Sequence, residues 1–211
     1  YHLPGDDGQD PGLVYSRLNN PNTEIFEDKM VALEAGATHA AAFPSGMGAI
    51  TTAILALVPQ GGRILYSDPV YGGTYFFLKH LCPERFGITT LCVDTSNLAL
   101  TEQMLLTNSP FDMVFLETPA NPTLVLTDIE AVTGLVRRHG GLRTIMAVDN
   151  TFLGPVFQRP FLHGADLALY SATKFIGGHS DLLAGIALTT SAKLMRPMLD
   201  YRTILGSTIA P

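Results

Sequence analysis

Positive charge is sparse in this chain. Lys and Arg number 13 against 19 Asp and Glu in 211 residues, giving a net charge of −6 and a pI near 5.4. No basic run forms, so nucleic acid and anionic membrane are poor candidates for the main partner. Charged residues of both signs reach only 15%, while apolar residues reach 46%, enough for a sizeable core. A domain of this size buries about 70% of the surface that its unfolded chain exposes. Cysteine occurs twice, at Cys82 and Cys92. Two thiols make no disulfide framework, so reduced, mostly buried thiols and a cytoplasmic setting are expected. Also missing are G-x-G-x-x-G and G-x-x-x-x-G-K followed by Ser or Thr, the usual marks of dinucleotide and nucleoside-triphosphate sites. His163, Asp166, His179 and Asp181 lack compact ligand spacing, and no metal site is expected. Ala40–Pro59 carries no charge over twenty residues. Pro44, Gly46 and Gly48 interrupt it early, so strand–turn–helix fits better than a membrane span.

What is present is a regular alternation. Tyr1–Val14 is polar, rich in Gly and Pro, and reads as an extended arm or loop. Asn19-Asn20-Pro21-Asn22-Thr23 can cap a helix beginning near Glu24. Ile25, Phe26, Met30 and Leu33 would give that helix its apolar stripe, and Gly36 would end it. Strands are expected at His39–Phe43, Arg63–Ser67, Thr89–Val93, Met113–Glu117, Thr144–Val148, Leu167–Tyr170 and Ile186–Thr189. Helices are expected at Met47–Leu57, Thr74–Leu81, Thr101–Leu106, Asp128–His139 and Ser191–Ile204. The pattern predicts an α/β fold, a mainly parallel sheet flanked by helices.

In open α/β sheets, ligands collect beyond the carboxyl ends of the strands. Chemically suggestive residues fall there in five separate loops. Ser45-Gly46-Met47-Gly48 lies between a strand and a helix, where amides and the helix dipole can cradle phosphate; a plain tight turn is the other reading. Tyr71 sits in a turn leading into a helix and could equally plug the core. Asn121 stands in the stiff loop Glu117-Thr118-Pro119-Ala120-Asn121-Pro122, which is also an ordinary place for asparagine. Asp149 closes an apolar strand, where a carboxylate needs a cationic or hydrogen-bonding partner; capping the turn at Asn150-Thr151 is the alternative. Lys174 follows Leu167–Tyr170 in a setting that reads as apolar, with the hydroxyls of Ser171 and Thr173 nearby. Desolvation there would lower its pKa, as amine nucleophiles require. Taken alone, such a lysine is more often a solvated loop residue.

The fifteen positions Asp166–Ser180, with Ser171-Ala172-Thr173-Lys174 at their centre and Gly178-His179-Ser180 at their end, resemble the lysine signature of a pyridoxal-phosphate enzyme family. That family serves Cys/Met metabolism and includes cystathionine γ-lyase, methionine γ-lyase and cystathionine γ-synthase. Asp149 twenty-five positions before Lys174 repeats the family's arrangement, as does Asn150-Thr151-Phe152. The resemblance implies pyridoxal 5'-phosphate as cofactor, with Lys174 as the Schiff-base lysine and Asp149 at the ring nitrogen. It places Tyr71 on the ring as a second catalytic residue, Asn121 at the ring hydroxyl, and Ser45, Gly46, Met47, Ser171 and Thr173 at the phosphate. Tyr15 and Arg17 would reach that phosphate from a neighbouring subunit, in a homodimer or homotetramer with shared active sites.

The implied reaction is γ-elimination of cystathionine or methionine to a 2-oxo acid, ammonia and a thiol. Gly73 stands where methionine γ-lyases of the family typically carry cysteine, which counts against a dedicated methionine γ-lyase. γ-Replacement by a cystathionine γ-synthase or O-acylhomoserine sulfhydrylase, cystathionine β-lysis, and a non-catalytic binding protein of the same fold remain open. By the same resemblance, residues 1–22 are part of an amino-terminal arm and 23–211 most of the large cofactor domain. A smaller carboxy-terminal domain lies outside this sequence, so weak or no turnover is expected from residues 1–211 alone.

Overall fold

Strands of four or five residues occupy the apolar runs: β1 (His39–Phe43), β2 (Arg63–Ser67), β3 (Thr89–Val93), β4 (Met113–Glu117), β5 (Ile145–Asp149), β6 (Leu167–Tyr170) and β7 (Gly185–Thr189). These come from a computed structural model that describes residues 12–13, 15–141 and 143–210. Most of the expected arm, residues 1–11 and Val14, therefore lies outside the described residues.

The strands form one sheet in the order β1-β7-β6-β5-β4-β2-β3. β7 pairs antiparallel with β1 and β6, and every other pairing is parallel. It follows that β1 to β6 all point the same way, with β7 alone reversed. The carboxyl ends of β1, β2, β4, β5 and β6 consequently open on one rim. Because β7 runs backwards, its first residue, Gly185, reaches that rim too, opposite Phe43. A side chain at Gly185 would run into the backbone carbonyl of Ser45, so this close approach requires glycine.

Every residue of β4 and β6 is buried, as befits parallel strands covered on both faces. Alternate residues face opposite sides. Phe43, Phe115, Leu167 and Leu169 pack with Ile54 and Met198, while Leu65, Val114, Leu116 and Val148 pack with Leu105 and Val132. Full burial of one such side chain is worth about 1.5–3 kcal/mol.

Among the described residues, eight α-helices accompany the strands: α1 (Pro21–Leu33), α2 (Gly46–Leu57), α3 (Gly72–Phe76), α4 (Cys82–Arg85), α5 (Leu98–Asn108), α6 (Ile129–Leu135), α7 (Gly154–Phe157) and α8 (Ala192–Leu205). α1 starts three residues before Glu24 because Asn20 caps it, its side chain accepting from the Asn22 amide, and Pro21 fits the first turn. Its core face is Met30 and Phe26; Ile25 and Leu33 are exposed, contrary to the expected four-residue stripe. The helix ends at Leu33, and Gly36 adopts its positive φ in the turn beyond. The helix expected over 74–81 divides into α3 and a π-helical stretch Phe77–Leu81, and α4 continues beyond its expected end. Likewise, Asp128 caps α6 and Val136–Gly140 is π-helical. α5 is longer than expected because Asn97 caps it. α7 and the 3-10 turn Pro160–His163 had no counterpart in the sequence reading.

The two cysteines correct a further expectation. Both are free, but only Cys82 is buried; Cys92 is exposed on β3, the last strand of the sheet. Burial pushes the Cys82 thiol up to about 12, so it behaves as a small hydrophobe. No helix among the described residues is long and apolar enough to cross a membrane.

Candidate active site

The rim encloses a cavity of about 760 Å3. Ser45, Gly46 and Met47 line it from the start of α2, Tyr71 from the loop after β2, and Asn121 from the loop after β4. Asp149 contributes from the end of β5, and Ser171, Thr173 and Lys174 from the loop after β6. Nine of the eleven residues singled out from the sequence thus meet in one place.

Tyr15 and Arg17 do not line this cavity. Arg17 lies 5.5 Å from the Tyr15 ring centroid and donates from Nη1 to the Thr203 carbonyl at 2.9 Å, on the α8 side of the molecule. Both residues are exposed.

The amino end of α2 presents backbone donors at the cavity. Ser45 Oγ accepts from the Gly48 amide at 3.0 Å. The Gly46 and Met47 amides, in the first turn, have no intrahelical acceptor. Gly46 lies against the β6 loop, and a Cβ there would sit 2.6 Å from Ser171 Cβ. The helix start and Ser171 therefore form two walls of one narrow cradle. Thr173 is more committed: its hydroxyl donates to the Ala184 carbonyl at 3.1 Å and accepts from the Ala184 amide at 3.0 Å.

Asp149 is buried, and burial pushes its carboxyl up to about 6, against the opposing pull of two bonds from Thr151. Thr151 donates to Oδ1 from its amide at 3.0 Å and from its hydroxyl at 2.6 Å. The turn-capping role is therefore present, yet it uses one oxygen only. Thr151 Oγ1 also accepts from the Ser171 amide at 2.8 Å, joining the ends of β5 and β6. Behind this pair, Asn150 Nδ2 donates to the Tyr170 hydroxyl at 2.9 Å and to the Gln158 carbonyl at 2.8 Å. The Tyr170 hydroxyl in turn donates to Glu34, whose carboxyl burial pushes up to about 7.

Lys174 corrects the expectation of an apolar setting, because the side chain is exposed at the cavity. β6 ends at Tyr170, and the chain turns outward, with the Lys174 amide donating to the Ser171 carbonyl at 3.1 Å. Tyr71 is 46% exposed and lines the cavity. Gly73 allows this placement: a Cβ there would lie 2.7 Å from Tyr71 Cε1.

Thr151 and Glu117 also line the cavity, and neither has a site role assigned from the sequence. Thr151 is recoverable in part, since a hydroxyl two positions after a strand-ending Asp is a common turn pairing. Glu117 is the other; it lines the cavity with its carboxyl split between the Tyr71 and Asn121 amides. Nothing in the spacing of Glu117-Thr118-Pro119-Ala120-Asn121 distinguishes it from an ordinary strand end.

The donor set fits pyridoxal phosphate. The α2 start with Ser171 offers a phosphate cradle, and Lys174 an amine. Asp149 keeps its second oxygen free of hydrogen bonds from the described residues, available to a ring cation, and Tyr71 supplies an aromatic face.

Residues 2–211 match a family described as Cys/Met metabolism PLP-dependent enzyme. The chain is 38% identical over 207 residues to cystathionine gamma-lyase of Homo sapiens, covering 98% of this chain and 49% of that protein. It is 38% identical over 205 residues to L-methionine gamma-lyase of Pseudomonas deceptionensis, covering 97% of this chain and 50% of the relative. Among solved structures, cystathionine gamma synthase from Xanthomonas oryzae pv. oryzae in complex with cystathionine superposes with a TM-score of 0.88 at 29% identity, covering 97% of this chain and 51% of that one. The chain thus spans about half the length of the relatives it matches. With family match, fold and cavity in agreement, it belongs to the Cys/Met metabolism PLP-dependent enzymes.

Proposed function

We propose that the full protein is a pyridoxal-phosphate-dependent lyase of sulfur amino acids, favouring γ-elimination of cystathionine or methionine to a 2-oxo acid, ammonia and a thiol. The observation that carries this reading is the convergence of Lys174, Asp149, Tyr71 and the amino end of α2 on one cavity. Residues 23–211 form most of the large cofactor domain in this reading, and residues 1–22 part of an arm.

Lys174 would hold the cofactor covalently through Nζ; Ser45, Gly46, Met47, Ser171 and Thr173 would hold its phosphate. When bound, pyridoxal phosphate supplies an electron sink for a carbanion at the substrate α-carbon. Asp149 would hold a proton at the ring nitrogen with its uncommitted oxygen, while Thr151 fixes the other. Tyr71 would offer its ring to the cofactor, Asn121 would bind the ring hydroxyl, and the Lys174 amine would carry protons between substrate carbons. Tyr15 and Arg17, exposed and away from their own cavity, would reach the phosphate of a second copy in a homodimer or homotetramer. Arginine suits that role because its planar fork pairs with phosphate bidentately. The free thiols of Cys82 and Cys92 support a reducing, cytoplasmic setting.

The resemblance of Tyr71-Gly72-Gly73-Thr74 to cystathionine γ-lyases, with glycine where methionine γ-lyases typically carry cysteine, supports cystathionine over methionine. γ-Replacement is the second reading, favoured by the similarity to a cystathionine gamma synthase. Purified full-length protein assayed with cystathionine, methionine and O-acylhomoserines separates the two. Release of thiol and 2-oxo acid from cystathionine is expected; absence of both from cystathionine and methionine overturns the lyase reading.

A further inference from the structure

Glu117 is an unusual member of the cavity wall. It is 5% exposed and ends β4, a strand with no exposed residue. Its two oxygens serve two different loops: Oε2 accepts from the Tyr71 amide and Oε1 from the Asn121 amide, each at 2.7 Å. Its own amide donates to Ser67 Oγ at 3.0 Å, tying it to the end of β2. In register it stands beside Asp149 on β5. Among the described residues it has no salt-bridge partner, and the charge that acts on it, that of Asp149, is of like sign. Burial, then the Asp149 charge, push its carboxyl up to about 7, and the two amide bonds pull it back. A buried carboxylate so placed is costly unless its hydrogen bonds are kept. Only the arrangement of the two loops keeps them.

We propose that Glu117 is a positioning residue whose two carboxylate oxygens clamp the backbone amides of Tyr71 and Asn121, setting both loops relative to Asp149. The functional consequence rests on the cofactor reading above. Tyr71 and Asn121 are the residues assigned to the ring face and the ring hydroxyl, so one side chain would align both. Glutamine cannot replace it. It has one acceptor oxygen, and its NH2 would face an amide N–H, donor against donor.

Glu117→Gln keeps the volume and removes one acceptor, so it separates clamping from packing. Amide hydrogen exchange is followed at Tyr71 and Asn121 in the cofactor-free full-length protein, with Leu116 and Val148 as strand controls. Both loop amides are expected to be slow in the parental protein. In E117Q at least one exchanges about tenfold faster or more, as loss of a charge-assisted bond implies, with the strand controls unchanged. In a second arm, pyridoxal phosphate bound to E117Q loses visible circular dichroism per unit absorbance, because its ring is less uniformly held. Fast exchange at Tyr71 and Asn121 in the parental protein overturns the clamp without any variant. So does E117Q with both amides unchanged, with uniform acceleration through β4 and β5, or with unaltered circular dichroism. Should E117Q not fold, Glu117→Asp, with charge kept and reach shortened, takes its place with the same expected results. The exchange arm needs no cofactor, so a parental protein that binds no pyridoxal phosphate fails the functional reading while still deciding the clamp.

Discussion

Asp149 has one oxygen held by both donors of Thr151, which leaves the other free of hydrogen bonds from the described residues and, in the proposed function, turned to the ring nitrogen. That division of labour predicts that Asp149→Asn retains the fold and loses turnover by roughly 10²-fold or more, the scale of one preorganised electrostatic contact. Steady-state kinetics on the full-length protein measure it; turnover within a few fold of parental would remove Asp149 from the ring. Gly73 poses a different test. Since a Cβ there would fall 2.7 Å from Tyr71 Cε1, Gly73→Cys must displace the ring. The ratio of kcat/KM for methionine to that for cystathionine is expected to rise, and an unchanged ratio would mean that this contact does not set specificity.

Among the elements, the amino end of α2 and the β6 loop depend on each other through a single missing side chain. Gly46→Ala places a Cβ 2.6 Å from Ser171 Cβ and 2.9 Å from Ser171 Cα. Backbone is involved, so the clash cannot be relieved by a rotamer, and overpacking of this kind costs about 1–3 kcal/mol. Denaturant unfolding should show that loss together with weaker cofactor binding; unchanged stability would mean the two walls separate freely. Much of this layout was legible beforehand. Packing on both sides of the sheet buries runs such as Met113–Glu117 and Leu167–Tyr170 on both faces, and such runs stand out without a partner sequence. Placing Ser45, Tyr71, Asn121, Asp149 and Lys174 beyond strand ends required only their order along the chain. Other features depend on packing that order does not encode. The π-helical stretches at Phe77–Leu81 and Val136–Gly140 interrupt what reads as one helical period. Ile25 and Leu33 have the spacing of a core stripe yet face outward, and Lys174 looks enclosed in sequence because its apolar neighbours Phe175 and Ile176 are close in the chain. Glu117's reach to amides forty-six and four positions away is a purely three-dimensional fact.

For the whole molecule, buried carboxyls make a prediction about pH. Asp149 is pushed up to about 6, and Glu117 and Glu34 to about 7, each chiefly by burial. Each therefore binds its proton more tightly folded than unfolded. Their stabilising contribution is full below about pH 4 and is lost as pH rises through 6 to 7. Cofactor-free full-length protein should accordingly melt at a higher temperature at pH 5.5 than at pH 8. Saturation with pyridoxal phosphate should flatten that dependence, because a ring cation favours the charged form of Asp149. A melting temperature that rises steadily from pH 5.5 to 8 without cofactor would contradict the burial of these groups.

The most direct test joins all three scales at one nitrogen atom. Full-length protein is incubated with pyridoxal phosphate, reduced with borohydride and digested, and the modified peptide is identified by mass. Lys174 lines the cavity, whereas Lys29, Lys79 and Lys193 lie elsewhere. The reduced cofactor should be found on Lys174, and Lys174→Ala should abolish both the label and the visible absorbance of the bound cofactor. Labelling of a different lysine, or of none, would contradict the assignment of this cavity.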